Sequence, residues 1–314
     1  MARFAATRAL SAALTLLVMT AVAFVVLQVL PGDPAILVLG MDADPTAVAH
    51  LRATLGLNQP VLVRYGLWLW NALHGNLGTS LQFGQPVAAL LLQRLPLTLL
   101  LTAMAAFIAL VIALPLGMAA AVRRGGLVDL LGVAVAQVGA AVPSFWLAII
   151  LLLAFAVRRH WLPAGGFPGW TQPGAVISAL LLPALALGAA RAAILTRLLR
   201  QSVSEALRQD FVRTARAKGV SPQRTLWRHA LRAAAIAPLT VFGLQVGELL
   251  AGSIVVENVF SLPGLGRLVL YAISMRDLPT LEGCVLLIAT LVMTANFAVD
   301  LLYAVIDPRI RSAG

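Results

Sequence analysis

The chain has 314 residues, of which 61% are hydrophobic and only 11% charged, and its mean hydropathy is +0.94. A soluble domain carries about 25% charged residues, so the composition excludes a soluble enzyme or binding domain and indicates an integral membrane protein. The formal net charge of +11 then reads as the basic bias of cytosolic loops, not as a nucleic-acid surface.

A helix needs roughly 20 apolar residues to cross a bilayer. Six stretches qualify, at about 9–30, 98–122, 131–157, 175–197, 234–256 and 283–306. Arg3 and Arg8 precede the first, as in a signal peptide. The apolar run is too long for such a segment, and Leu30-Pro-Gly-Asp-Pro34 lacks a small-x-small cleavage site. It is read as a retained span. The outer segment 31–97 follows. Pro45 to Leu55 is weakly amphipathic, and Gly56-Leu-Asn-Gln-Pro60 is a turn. Val61 to Leu73 carries Tyr65, Trp68 and Trp70, which suits a helix at the membrane interface. Gly75-Asn-Leu-Gly78 and Phe83-Gly-Gln-Pro86 are loops.

Basic residues set the orientation. With the N-terminus cytosolic, the inside holds Arg3, Arg8, Arg123, Arg124, the cluster between 197 and 232, Arg309 and Arg311. The outside holds Arg52, Arg64, Arg94, Arg158, Arg159, Arg267 and Arg276, diluted by Asp33, Asp42, Asp44, Glu257, Asp277 and Glu282. The excess lies on the first side, so both termini are expected inside. The expected architecture is all-α, one membrane domain over residues 1–314 with six transmembrane helices and a cytoplasmic loop at about 198–232.

That loop is the most informative stretch. It carries Arg197, Arg200, Arg208, Arg213, Arg216, Lys218, Arg224, Arg228 and Arg232 against Glu205 and Asp210. Ser202-Val-Ser-Glu205 fits a capping box, or equally a continuation of the fourth span. Leu207, Phe211, Ala215 and Lys218 share one face at helical spacing. Ala215 and Ala217 are small enough for another protein to approach closely. Gly219 is a helix stop, because glycine accepts the left-handed conformation. Ser221-Pro222 restarts a helix, with Ser as N-cap and Pro at its first position. Arg224, Trp227 and Arg228 are then directed toward the headgroup layer. A helix, a stop and a restart between two spans suit docking of a cytoplasmic partner better than a solvated basic loop.

Within the spans, polar residues are costly and face a cavity or a partner. Glu248 lies among Gly243, Gln245, Gly247 and Gly252; it either lines a pathway or packs in a subunit interface. Gln245 and Gln137 are further pathway candidates. Arg191 can snorkel, and Asn296 and Asp300 share a face of the last span. Cys284 is alone, and the four histidines are scattered without metal-ligand spacing. There is no G-x-x-x-x-G-K-[ST] phosphate cradle.

Phe211-Val-Arg-Thr-Ala-Arg-Ala-Lys-Gly219, followed by Arg228-His-Ala-Leu-Arg232, resembles the ATPase-coupling (EAA-type) loop of ABC importer permeases in the peptide/nickel branch. Three further stretches resemble the same branch: Gly252 to Gly266, Arg276-Asp-Leu-Pro279, and Asp300 to Arg311. Pro31-Gly-Asp-Pro34, Leu55-Gly-Leu-Asn-Gln-Pro60 and Gly75-Asn-Leu-Gly78 are similar to the B-type rather than the C-type subunit. The loop departs from the generic Glu-Ala-Ala pattern, reading Thr214-Ala-Arg216. Glu248 matches nothing in the branch's pattern.

The resemblance implies a type I importer permease in the bacterial or archaeal cytoplasmic (inner) membrane. It implies pairing with a C-type permease subunit, two cytoplasmic ABC ATPases, and a periplasmic or lipid-anchored solute-binding protein. The chain is expected to be no enzyme and to bind no cofactor, with ATP and Mg used by the partner ATPases. Arg213, Ala215, Arg216, Ala217, Lys218 and Gly219 are the expected coupling residues. Short peptides are the default cargo, with nickel complexes, glutathione and sugars also handled in the branch. An ion-coupled secondary transporter is the competing class. It would require midplane carboxylates and commonly inverted repeats, whereas only Glu248 qualifies and no repeat is detected.

Overall fold

The computed structural model describes residues 2–29, 34–40, 43–54 and 56–306. Parts of three quoted motifs therefore lie outside the described residues: Pro31-Gly-Asp33, Leu55, and Asp307 to Arg311. The described chain is helical, without strands; its one β-type contact is an isolated bridge between Thr79 and Pro86.

The first span is α1 (Ala2–Val29). The outer segment supplies α2 (Pro34–Leu39), α3 (Pro45–Thr54) and the aromatic-rich α4 (Val61–Leu73). The second span, α5 (Val87–Val122), begins eleven residues before its expected start and runs for 36 residues. At 1.5 Å per residue that is about 54 Å, longer than the hydrocarbon core, so its outer end extends beyond the apolar stretch.

The expected span at 131–157 is broken in two. The first piece is α6 (Leu127–Ala141); the second, α7 (Ser144–Leu151), continues through a π-helical stretch at Leu152–Val157. Pro143 is extended at ψ 137°. Proline lacks an N–H and turns the preceding residue, Val142, away from helical geometry. α8 (Pro173–Ala206) is a single helix to its end, so Ser202 to Glu205 continue the fourth span and cap nothing. Next come α9 (Asp210–Ala217), α10 (Pro222–Arg224) with a π-helical stretch at Thr225–Ala230, and α11 (Leu231–Ala234). The remaining helices are α12 (Ile236–Val259), the short α13 (Leu265–Ser274) and α14 (Leu278–Ile306).

The core is the α5–α8 pair, held close by small residues. A Cβ at Gly188 would lie 2.6 Å from the Ala105 carbonyl oxygen, and one at Gly117 would lie 2.7 Å from Leu199 Cβ. Backbones approach this closely in membranes where side chains vanish. Leu97, Leu101, Ala105, Leu180, Leu187, Leu249 and Phe260 fill the space between α5, α8 and α12.

Two carboxylates that read as outer-loop charges are instead buried locks. Glu257 accepts from the Thr98 hydroxyl at 2.6 Å, from Gly266 N–H at 2.7 Å and from Arg267 N–H at 3.2 Å. It thereby joins α5, α12 and the start of α13. Asp277 caps α14 through the Thr280 hydroxyl (2.8 Å). It also accepts from the Ser80 hydroxyl and from Leu81 N–H at 3.2 Å, fastening the outer segment to the last span.

Candidate functional site

The basic residues gather at the end of the bundle opposite these locks, around the end of α8. Arg200 pairs with Asp129 of α6, its terminal nitrogen 2.7 Å from Oδ2, and the same oxygen accepts from Gly125 N–H at 2.9 Å. Arg124 donates to the Ser204 hydroxyl at 2.8 Å. Asp129 carries no sequence signal of this role, because its partner lies 71 positions away.

Helix α9 sits on this end. Val212 is buried in a cluster with Ala121, Val203, Ala206, Ala230 and Ala234, which roots α9 on α5, α8 and α11. Ala215, also buried, stands one turn beyond Val212. Ala215, one of the expected coupling residues, thus lies on the face that α9 turns to its own chain: a helix of eight residues needs one such face, and the 212/215 spacing supplies it. Phe211, Arg213, Arg216, Ala217 and Lys218 are exposed. Arg213 keeps an exposed ion pair with Asp210 at 3.7 Å, a contact of little stabilising value.

The stop and restart take the expected form. Gly219 has φ +79°, Val220 N–H donates to the Ala215 carbonyl at 3.2 Å, and Gly219 N–H donates to the Arg216 carbonyl at 3.0 Å. These two bonds satisfy the last carbonyls of α9 in a Schellman arrangement. Ser221 then caps α10, its hydroxyl accepting from Arg224 N–H at 3.4 Å, with Pro222 at the first helical position. Phe211 and Trp227 remain large exposed apolar groups beside the arginines.

The pathway candidates separate. Glu248 of α12 is paired with Arg191 of α8, and their side chains are 58% and 26% exposed. Sequence position alone marks Arg191 as a snorkelling residue; its partner, 57 residues away, is set by the packing of α8 on α12. Leu244, Glu248, Ala251 and Val255 form one uncovered face of α12. Gln245 points the other way: it is buried, and among the described residues neither amide atom has a hydrogen-bond partner. Gln245 is therefore inside the bundle in this structure, not on an open pathway face. Gln137 is exposed, one turn and a half before the break at Pro143. Among the described residues no group of His, Cys, Asp and Glu is arranged to hold a metal.

Two family profiles match the sequence. One, described as binding-protein-dependent transport system inner membrane component, covers residues 113–312. The other, its N-terminal membrane component, covers residues 1–102. A putative peptide transport system permease protein of Brucella abortus is 41% identical over 94% of this chain and 95% of its own length. A dipeptide transport system permease protein of Alkalihalophilus pseudofirmus is 39% identical over 93% and 94%. A glutathione transport system permease protein of Salmonella typhimurium is 41% identical over 95% of each chain. In three dimensions, an inward-facing MetNI methionine ABC transporter structure aligns with a TM-score of 0.58, at 20% identity, over 69% of this chain and 96% of the other.

Proposed function

The chain belongs to the family of binding-protein-dependent transport system inner membrane components, as a multi-pass permease subunit of an ABC importer, and we propose that it is the B-type subunit of a short-peptide importer. The names carried by its relatives (peptide, dipeptide, glutathione) support short peptides as cargo. In this reading a C-type permease completes the pathway in the bacterial or archaeal cytoplasmic membrane. Two cytoplasmic ATPases dock beneath it, and a periplasmic or lipid-anchored binding protein delivers the peptide.

The observation that carries the coupling role is α9. It is rooted in the bundle through Val212 and Ala215 and presents Phe211, Arg213, Arg216, Ala217 and Lys218 outward. A short helix that presents an exposed aromatic together with two arginines and a lysine suits an acidic, partly apolar cleft on an ATPase. Gly219 sets where the helix ends. Closure of the ATPase dimer would push α9, and the rigid α5–α8 pair would carry that motion into the membrane. Cargo shifts such an equilibrium only by binding the two states differently, so the loaded binding protein must prefer one of them.

For the cargo's route, the exposed α12 face with Glu248 and Arg191 is proposed as pathway lining, with Gln137 beside the helix break. Discontinuous helices in transporters commonly mark the pathway. Gln245 contributes from inside the helix packing, not by contact with cargo.

Co-purification tests the coupling role. Phe211→Ala and Arg216→Glu are expected to leave the permease inserted and folded while ATPase recovery and peptide uptake fall together by about tenfold or more. Full ATPase recovery and uptake in both variants would reject α9 as the docking element.

A further inference from the structure

A cavity of about 250 Å³ opens between α1, α4 and the start of α14, away from both α9 and the α12 face. Its walls carry charges of both signs, Arg64 and Glu282, together with the amides of Gln59, Asn71 and Asn76. Phe24 and Trp68 supply the apolar side, and the Trp68 indole N–H is buried without a hydrogen-bond partner among the described residues.

The cavity's depth points to lipid. Phe24 is five residues from the end of α1 and Glu282 four residues into α14, so both sit about 6–8 Å inside their helix ends. The Tyr65 hydroxyl donates to the Leu17 carbonyl at 3.1 Å. Leu17 is twelve residues before the end of α1, about 18 Å along it. Helix α4 therefore lies against the outer half of α1 and does not perch above it. Leu62, Trp70 and Leu73 of α4, and Leu10, Leu14 and Val22 of α1, are exposed apolar side chains, as a hydrocarbon neighbour requires. Arg64 and Glu282 interact electrostatically across the cavity, so the wall presents adjacent charges of opposite sign at the edge of an apolar surface, which match a ligand that is zwitterionic at one end and apolar at the other.

We propose that this cavity is a binding site for an outer-leaflet phospholipid with an amine headgroup, of the phosphatidylethanolamine type. The ammonium would meet Glu282. The phosphate would meet Arg64 and the amide donors of Asn71 and Asn76, and the acyl chains would follow the exposed α1–α4 surface. A carboxylate in the wall selects against anionic headgroups, which offer it only repulsion. The site does not depend on the identity of the cargo.

Native mass spectrometry of the full-length chain, released from nanodiscs with matched acyl chains, tests this. The wild type is expected to retain phosphatidylethanolamine about tenfold over phosphatidylglycerol, as a hydrogen bond between charged groups supplies. Glu282→Gln should abolish that preference. Arg64→Gln, which keeps the carboxylate, should weaken retention of both lipids. Equal retention of the two lipids by the wild type, or an unchanged preference in Glu282→Gln, overturns the proposal. If Glu282→Gln does not fold, loss of retention in Arg64→Gln supports the site and unchanged retention overturns it. Displacement of the lipid by soluble phosphoethanolamine at equal concentration would also overturn it, because the ligand would then be the free headgroup.

Discussion

Glu257 shows how a single side chain organises the end of this permease opposite α9. Its carboxylate accepts from one hydroxyl and two main-chain N–H groups, with no solvent exposure. The glycines around it exist to admit it. A Cβ at Gly264 would lie 2.4 Å from the Glu257 carboxyl carbon, and one at Gly266 would lie 2.3 Å from Ile254 Cα. Glu257→Ala leaves two buried donors and one half-buried donor unpaired, at about 1–3 kcal/mol for each buried one. It is expected to destabilise the chain by about 3 kcal/mol or more, read as a lowered melting temperature in detergent. Glu257→Gln keeps an acceptor oxygen and should cost less. Gly266→Ala has no room to relax, because its obstacle is backbone, and it should match or exceed the alanine variant at 257. A melting temperature unchanged in Gly266→Ala would contradict the close packing of α12 against α13.

At the level of elements, the sequence was most readable where the controlling physics is local. Gly219 and Ser221-Pro222 govern their own backbone, so the end of α9 and the start of α10 fall where residue types alone place them. The face of α9 was not readable, because helical spacing defines two neighbouring apolar seams. Only the surroundings of Val212, drawn from α5, α8 and α11, choose between them. Asp277 and Glu257 look like loop charges, and Asp129 carries no signal, for the same reason: their partners lie 197, 159 and 71 residues away. The break in the third span lies at Pro143, whose signal is hidden by the continuous apolar run around it. Gly219 yields a graded prediction. A Cβ there meets nothing within 4 Å, so Gly219→Ala suffers only left-handed backbone strain, about 1–2 kcal/mol. It should fray the end of α9 and reduce uptake a few-fold with the ATPases still bound. Gly219→Pro also loses the N–H that donates to the Arg216 carbonyl, and proline cannot adopt φ +79°. Its ATPase co-purification should be lost, and equal behaviour of the two variants would refute the capping argument.

Across the whole molecule, charge is placed where each surface can tolerate it. Exposed cations are densest at the α9 end, hydrogen-bonded carboxylates lock the opposite end, and the exposed side chains of α1 from Leu17 to Val26 are apolar. The Arg191–Glu248 pair is the departure, a partly exposed ion pair on two spanning helices. Facing lipid, each charge would cost about 2.5–3.5 kcal/mol on insertion scales, so the pair must face water or a second subunit. These destinations predict different outcomes. Along a watery route, Arg191→Gln and Glu248→Gln each leave one uncompensated charge. Uptake of a zwitterionic peptide should then fall by up to about tenfold, a modest figure because exposure screens the pair. The double variant removes the imbalance and should recover to within about threefold of wild type, with the same partners co-purifying throughout. At a subunit contact, the single variants would instead lose the second permease from the purified complex, and the double variant would regain it. Measuring uptake and subunit recovery on the same four proteins separates the two, because a route variant changes the first without the second.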